Sequence, residues 1–194
     1  MKNINIQKSR SLGYTLIELL AVISILVVIS GIITGILYST LRGSKKTSAT
    51  IEMAQNGAYA LSIISNSVID SEDVLKVKTS VGTEVTDCTQ SPSGPEISLR
   101  RFDGATTTFK CELLNGVFTV SSNSGALNVS LINTQELKVD SDYCSFSCTQ
   151  KVGDPYSIPI VGISFKITDK NTGLLESAVS STFETSVSLR NYSP

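Results

Sequence analysis

Few residues of this chain could do chemistry, and the first of them is a carboxylate in an unsuitable solvent. Glu18 is the only charged residue between Tyr14 and Leu41, a run of 28 residues made mostly of Leu, Ile, Val, Ala, Ser, Thr and Gly. A charge in hydrocarbon is costly and, where it persists, usually functional. Four cysteines, Cys88, Cys111, Cys144 and Cys148, all lie beyond that run. An even count on the outer side reads as two disulfides, with three possible connectivities. Nearest-neighbour pairing, Cys88 with Cys111 and Cys144 with Cys148, is the expectation. Four thiolates could instead hold zinc, but no C-x-x-C pair is present, so no metal is expected there.

Two further groups invite a chemical reading. In "DSDYCSFSC", Asp140 and Asp142 stand beside Tyr143, which suggests calcium. An EF-hand loop needs more acidic ligands and a late Glu, so the stretch reads instead as a polar loop held by Cys144 and Cys148. In "LRRF", Arg100 and Arg101 are adjacent and could meet a phosphate backbone. On a strand, such a pair reads as a solvated edge, and no nucleic-acid partner is expected. The chain has no His, which removes the usual general base and the commonest metal ligand. No Walker loop, Rossmann fingerprint or G-x-S-x-G occurs. Neither an enzyme nor a cofactor is expected. Lys and Arg total 16 against 17 Asp and Glu, so no polyanionic partner is implied.

These residues have to be positioned by something. The apolar run would be a helix of roughly 42 Å, enough to cross a bilayer with some tilt. A secretory signal peptide would carry an apolar stretch of only about 7 to 15 residues. Lys2, Lys8 and Arg10 precede the run, and Arg42, Lys45 and Lys46 follow it. The charge count alone therefore does not orient it. The amine of Met1 tips the N-terminus to the cytoplasmic side, and the cysteines beyond the run agree with that. Gly31 and Gly35 form a G-x-x-x-G spacing that lets helices approach closely.

Past Arg42, the residues Ile51, Ala54, Ala58, Leu61, Ile64 and Val68 recur at helical spacing, one apolar face of an amphipathic continuation to about residue 69. No Pro interrupts residues 14 to 91. From Val74 the period changes to two. "VLKVKTSVGTEV", "ISLRRF", "TTTFKCELL", "VFTVSS", "ALNVSLI", "YSIPIVGISFKIT" and "LLESAVSSTFETSVSLRN" read as short antiparallel strands, with turns at Gly82, Asp103-Gly104, Asn115-Gly116 and "DKNTG". A long helix followed by such a meander predicts an α+β fold. The predicted parts are a basic leader (1–13), a membrane or filament-core helix (14–41), its amphipathic second half (42–70) and a β-rich head (71–194).

The stretch Gly13-Tyr14-Thr15-Leu16-Ile17-Glu18-Leu19-Leu20 resembles the class III signal sequence of type IV pilins and type II secretion pseudopilins. Tyr14 stands where relatives most often carry Phe, and Gly35 where many carry a helix-bending Pro. The resemblance implies cleavage after Gly13 and methylation of the new Tyr14 amine by a prepilin peptidase. It implies that Glu18 pairs with the N-terminal amine of a neighbouring subunit. The implied fold is the pilin fold, and the implied partners are other pilin or pseudopilin subunits and an inner-membrane assembly platform with its ATPase. "TFETSVSLRNY" resembles the C-terminal strand of minor pseudopilins of the J type. The expectation is therefore a structural filament subunit, cytoplasmic at its N-terminus and extracytoplasmic in its head. The alternative is a single-pass anchored envelope protein whose head binds a ligand or is an enzyme.

Overall fold

A computed structural model describes residues 13–154, 156–170 and 179–192. The fold is α+β: among the described residues, one α-helix, α1 (Leu16–Ile69), is followed by ten strands and a short 3-10 turn (Cys88–Gln90), and every strand pair is antiparallel. The chain divides into two compact units, Met1–Lys45 and Lys46–Pro194.

In the first unit, the apolar side chains of α1 point outward, and none of its most apolar 18-residue window is buried within the chain. The polar side chains in this stretch satisfy themselves locally. The hydroxyls of Ser24, Thr34 and Thr40 donate to the carbonyls of Ala21, Ser30 and Ile36 at 2.8, 2.8 and 2.9 Å. That removes most of the cost of carrying them in hydrocarbon. The helix runs through Gly35 without interruption. The basic leader residues Lys2, Lys8 and Arg10, and with them the orientation argument, lie outside the described residues.

In the second unit, α1 packs on two sheets. The larger has the order β2 (Glu84–Val85), β1 (Ser71–Lys78), β4 (Glu96–Arg101), β5 (Thr106–Leu114), β6 (Val117–Ser124), β7 (Leu127–Ser130). The smaller runs β10 (Ser180–Ser188), β9 (Ile160–Asp169), β8 (Leu137–Thr149), β3 (Ser93–Gly94). One buried apolar cluster joins the helix to both sheets. Among the described residues, the turns at Gly82, Gly104 and Asn115-Gly116 fall where the sequence predicts. Asn115 and Gly116, with φ of 52° and 81°, supply the two positive angles that a tight β5–β6 hairpin requires. The "DKNTG" turn and the first residues of the last predicted strand fall on 171–178, outside the described residues.

The helix faces its sheets differently from the sequence expectation. The buried residues are Met53, Gly57, Ala60, Ile64 and Val68. Ile51, Ala54 and Ala58 are exposed, and Leu61 is half-buried. The reason is close approach. A Cβ on Gly57 would come within 2.1 Å of the Phe183 ring, so that ring occupies the space where a side chain would stand. A face chosen by hydrophobicity misses a contact made by the absence of a side chain.

The stretch expected to be a polar loop is instead most of β8, 13 residues with Leu137, Val139, Cys144, Phe146 and Cys148 buried. Its alternation was hidden by a bulge: Val139 pairs with Ile167 and Cys144 with Phe165, so residues 140–143 stand opposite Lys166 alone. The bridges differ from the nearest-neighbour expectation for the same reason. Cys144 and Cys148 lie on one face of one strand, four residues apart. At roughly 3.3 Å per residue that is about 13 Å, twice the reach of a disulfide. Cys148 therefore bonds Cys88, with Cα atoms 5.1 Å apart, and Cys144 bonds Cys111 at 6.0 Å. The second bridge staples β5 of the large sheet to β8 of the small one.

Candidate functional site

The N-terminal stretch begins as exposed, non-helical chain at residues 13 to 15 and becomes helical at Leu16. Gly13 has nothing within 4 Å of a built Cβ, and Tyr14 is 82 % exposed. Among the described residues, nothing packs against either of them.

Thr15 caps the helix. The amide of Glu18 donates to the Thr15 carbonyl at 3.1 Å and to its hydroxyl oxygen at 3.4 Å, and the amide of Leu19 donates to the same carbonyl at 3.2 Å. Thr15-Leu16-Ile17-Glu18 is a T-x-x-E capping sequence. The sequence reading passed over this signal and started the helix two residues too early, at Tyr14. Such a cap contributes about 1 kcal/mol. It also fixes Glu18 at the third helical position, where orphan N–H groups and the helix dipole favour a carboxylate. Hydrolysis before Tyr14 would put a cationic amine at that same positive helix end, where its field is unfavourable unless a carboxylate stands close.

Gly31 and Gly35 lie on this helix with nothing within 4 Å of either built Cβ. Among the described residues, no neighbour requires them to be small. If their size matters, it matters for a surface another molecule approaches.

Several charged groups of the head form ion pairs with one another. Arg100 donates to Asp73 at 3.1 Å and lies 3.9 Å from Glu72, and Arg101 lies 3.7 Å from Asp103. Neither arginine is a free phosphate contact. Nor is β4 an edge, as the sequence suggested, because it lies between β1 and β5. Asp140 pairs with Lys166 at 3.5 Å, and the same ammonium sits 4.6 Å from the centroid of the Tyr143 ring. The cation that Asp140 answers to is therefore this lysine. Among the described residues, no cluster of three acidic, Cys or His side chains is arranged to hold a metal.

Burial pushes the Glu112 carboxyl up, but hydrogen bonds from Ser121 at 2.5 Å and Asn128 at 2.8 Å outweigh it and leave the group below its ordinary range. Glu136 goes the other way. A hydrogen bond with the Glu52 carboxyl, then repulsion from Glu52 and Asp169, raises it. Glu52 also accepts from the Asn133 side chain at 3.1 Å, and Asn56 of the next helical turn accepts from the Asn133 amide at 2.9 Å. This polar latch ties the helix to the segment entering β8, and no residue periodicity announced it.

Residues 13 to 15 are exposed and non-helical, and Glu18 stands in the first turn of the helix that follows. The cysteines, now bridged, brace the head. No curated protein and no solved structure matches the chain. Residues 8–34 match the prokaryotic N-terminal methylation motif, a likeness confined to this N-terminal stretch that supports a class III signal there.

Proposed function

We propose that the chain is a structural subunit, of the minor kind, of a type IV pilus or a type II secretion pseudopilus. Prepilin peptidase hydrolyses the bond after Gly13 and methylates the new amine of Tyr14. The apolar half of α1 holds the subunit in the cytoplasmic membrane, N-terminus inside, until an assembly platform and its ATPase extract it. In the filament, Glu18 meets the Tyr14 amine of a neighbour and sets axial register, as one buried polar group does in a coiled coil. Gly31 and Gly35 let adjacent helices approach. The head lies outside the cytoplasm, where its two disulfides persist, and its C-terminal strand suggests the J type. The head's ion pairs and bridges have structural roles, so no catalysis is assigned to it.

The observation that carries this reading is the methylation motif over residues 8–34, together with the exposed, non-helical residues Gly13 and Tyr14 near its start. Intact mass of the protein isolated from its native cell tests it. The expected species is residues 14–194 plus one methyl group, and Gly13→Leu should leave only the full-length, unmethylated chain. Mature, methylated protein from that variant would remove the prepilin assignment.

A further inference from the structure

The two sheets end in four edges of unequal kind. β2 and β3 are two residues long and β7 is four, and short edges are a common way to avoid unwanted pairing. β10 is different. It has nine residues, pairs with β9 through all nine without a register shift, and contains neither Pro nor Lys. Among the described residues, no strand lies along its far side. Its inward residues Phe183 and Val187 are only half-buried, although their cross-strand partners Phe165 and Val161 are fully buried. The apolar layer therefore runs out to an edge whose outward backbone groups are open to water or to another strand.

We propose that this edge pairs with β10 of a second copy, antiparallel, about a two-fold axis at Thr185. Directly opposed residues share a face, so the axis must pass through a residue and not between two. An axis at Glu184 would set the two carboxylates against each other. An axis at Phe183 would leave Val187 beyond the paired stretch. At Thr185, Phe183 of each copy meets Val187 of the other, Glu184 meets Ser186, and Thr182 meets Ser188. The strand is self-complementary in this register. The contact is isologous and closes after two copies, so it is distinct from any contact that propagates a filament, and it does not depend on cleavage at Gly13.

Cysteine cross-linking of the full-length protein in its membrane tests the register, because all four native cysteines are bridged. Thr185→Cys alone should give a covalent dimer on mild oxidation. Thr182→Cys alone and Ser188→Cys alone should not, since each would lie six residues, roughly 20 Å, from its own copy. Co-expressed, those two should cross-link, which keeps the test alive should the Thr185 variant fold poorly. Ser186→Glu adds two like-charge pairs per dimer and Ser186→Lys two opposite ones. They should lower and raise the yield, each by roughly two- to thirtyfold. Equal cross-linking at Thr182→Cys alone, capture of a different protein by Thr185→Cys in place of the dimer, or the same yield from both Ser186 variants would each overturn the proposal.

Discussion

Removing the two disulfides one at a time tests their connectivity and their energetics together. In the chain-entropy picture, a cross-link stabilises by restricting the unfolded ensemble. Cys111–Cys144 closes a separation of 33 residues and Cys88–Cys148 one of 60, which taken alone correspond to about 3.7 and 4.3 kcal/mol. The loops are nested. With the inner bridge intact, the outer one closes only 60 less 33, or 27 residues, about 3.6 kcal/mol. The thermodynamic cycle then leaves about 3.0 kcal/mol for the inner bridge when the outer one is present, and about 7.3 kcal/mol for both. The unit Lys46–Pro194 contains both bridges and the buried cluster, so urea unfolding of residues 46–194 is the assay. Cys88→Ala/Cys148→Ala and Cys111→Ala/Cys144→Ala should lose roughly 3 to 4 kcal/mol each, somewhat more where truncating a buried sulfur opens space. The mismatched pair Cys88→Ala/Cys111→Ala should leave two free thiols, because Cys144 and Cys148 cannot reach each other along β8. Losses below about 1 kcal/mol would refute the energetic argument, and no free thiol in the mismatched variant would refute the connectivity.

Gly57→Ala should destabilise the same unit by about 1–3 kcal/mol through overpacking on the Phe183 ring, and the loss should shrink in a Phe183→Leu background; additive losses in urea melts would show that the ring is not the obstacle. Glu136, raised by its hydrogen bond to Glu52, binds its proton more tightly folded than unfolded. Its contribution is full below its ordinary range and is lost as pH rises from there through the raised folded value; Glu136→Gln should flatten that part of the pH–stability curve, and an unchanged slope would remove the shared proton. Glu18→Ala should leave the membrane form intact but cut recovery in sheared filaments more than a hundredfold, since leaving one partner of a buried pair typically costs about 3–5 kcal/mol; equal recovery of both forms would reduce Glu18 to a tolerated interfacial charge.

The order of elements was legible because each carries its own period. β9 alternates so regularly that Val161, Ile163, Phe165 and Ile167 are all buried as the sequence implies, and the turns at Gly82, Gly104 and Gly116 have the positive φ such turns use. β8 was not legible, because three extra residues (140–143 against Lys166 alone) shift the phase of an otherwise clean alternation, and a bulge is invisible to any count of every second residue. The disulfide pairing failed with it. Sequence distance orders cysteines by loop length, whereas the bond needs Cα atoms within about 7 Å, and only the register of β5 against β8 supplies that. Of the candidate site, Gly13, Tyr14 and Glu18 were readable as a motif, but the position of Glu18 in the first turn rests on Thr15, whose carbonyl and hydroxyl oxygens both accept from the Glu18 amide.

The two halves of α1 show why the same residue types inform in one place and mislead in another. In the head, water drives apolar side chains inward, so hydrophobic spacing should name the buried face, yet at Gly57 the contact is made by removing a side chain. In the apolar half, the solvent on the proposed function is hydrocarbon, as greasy as Leu or Ile, and burying one of them against another helix gains little. Nearly every position from Leu16 to Leu41 is interchangeable on that account, and the spacing of its apolar residues carries no face. Selection among neighbouring helices must then fall to the departures from that composition. Glu18 needs a cation that hydrocarbon cannot supply, and Gly31 and Gly35 offer shape with no partner inside the chain. The charge acts over a longer range and should choose the register; the glycines act only on contact and should choose the distance. A chain with both can be held loosely in the membrane and tightly in an assembly without changing its fold.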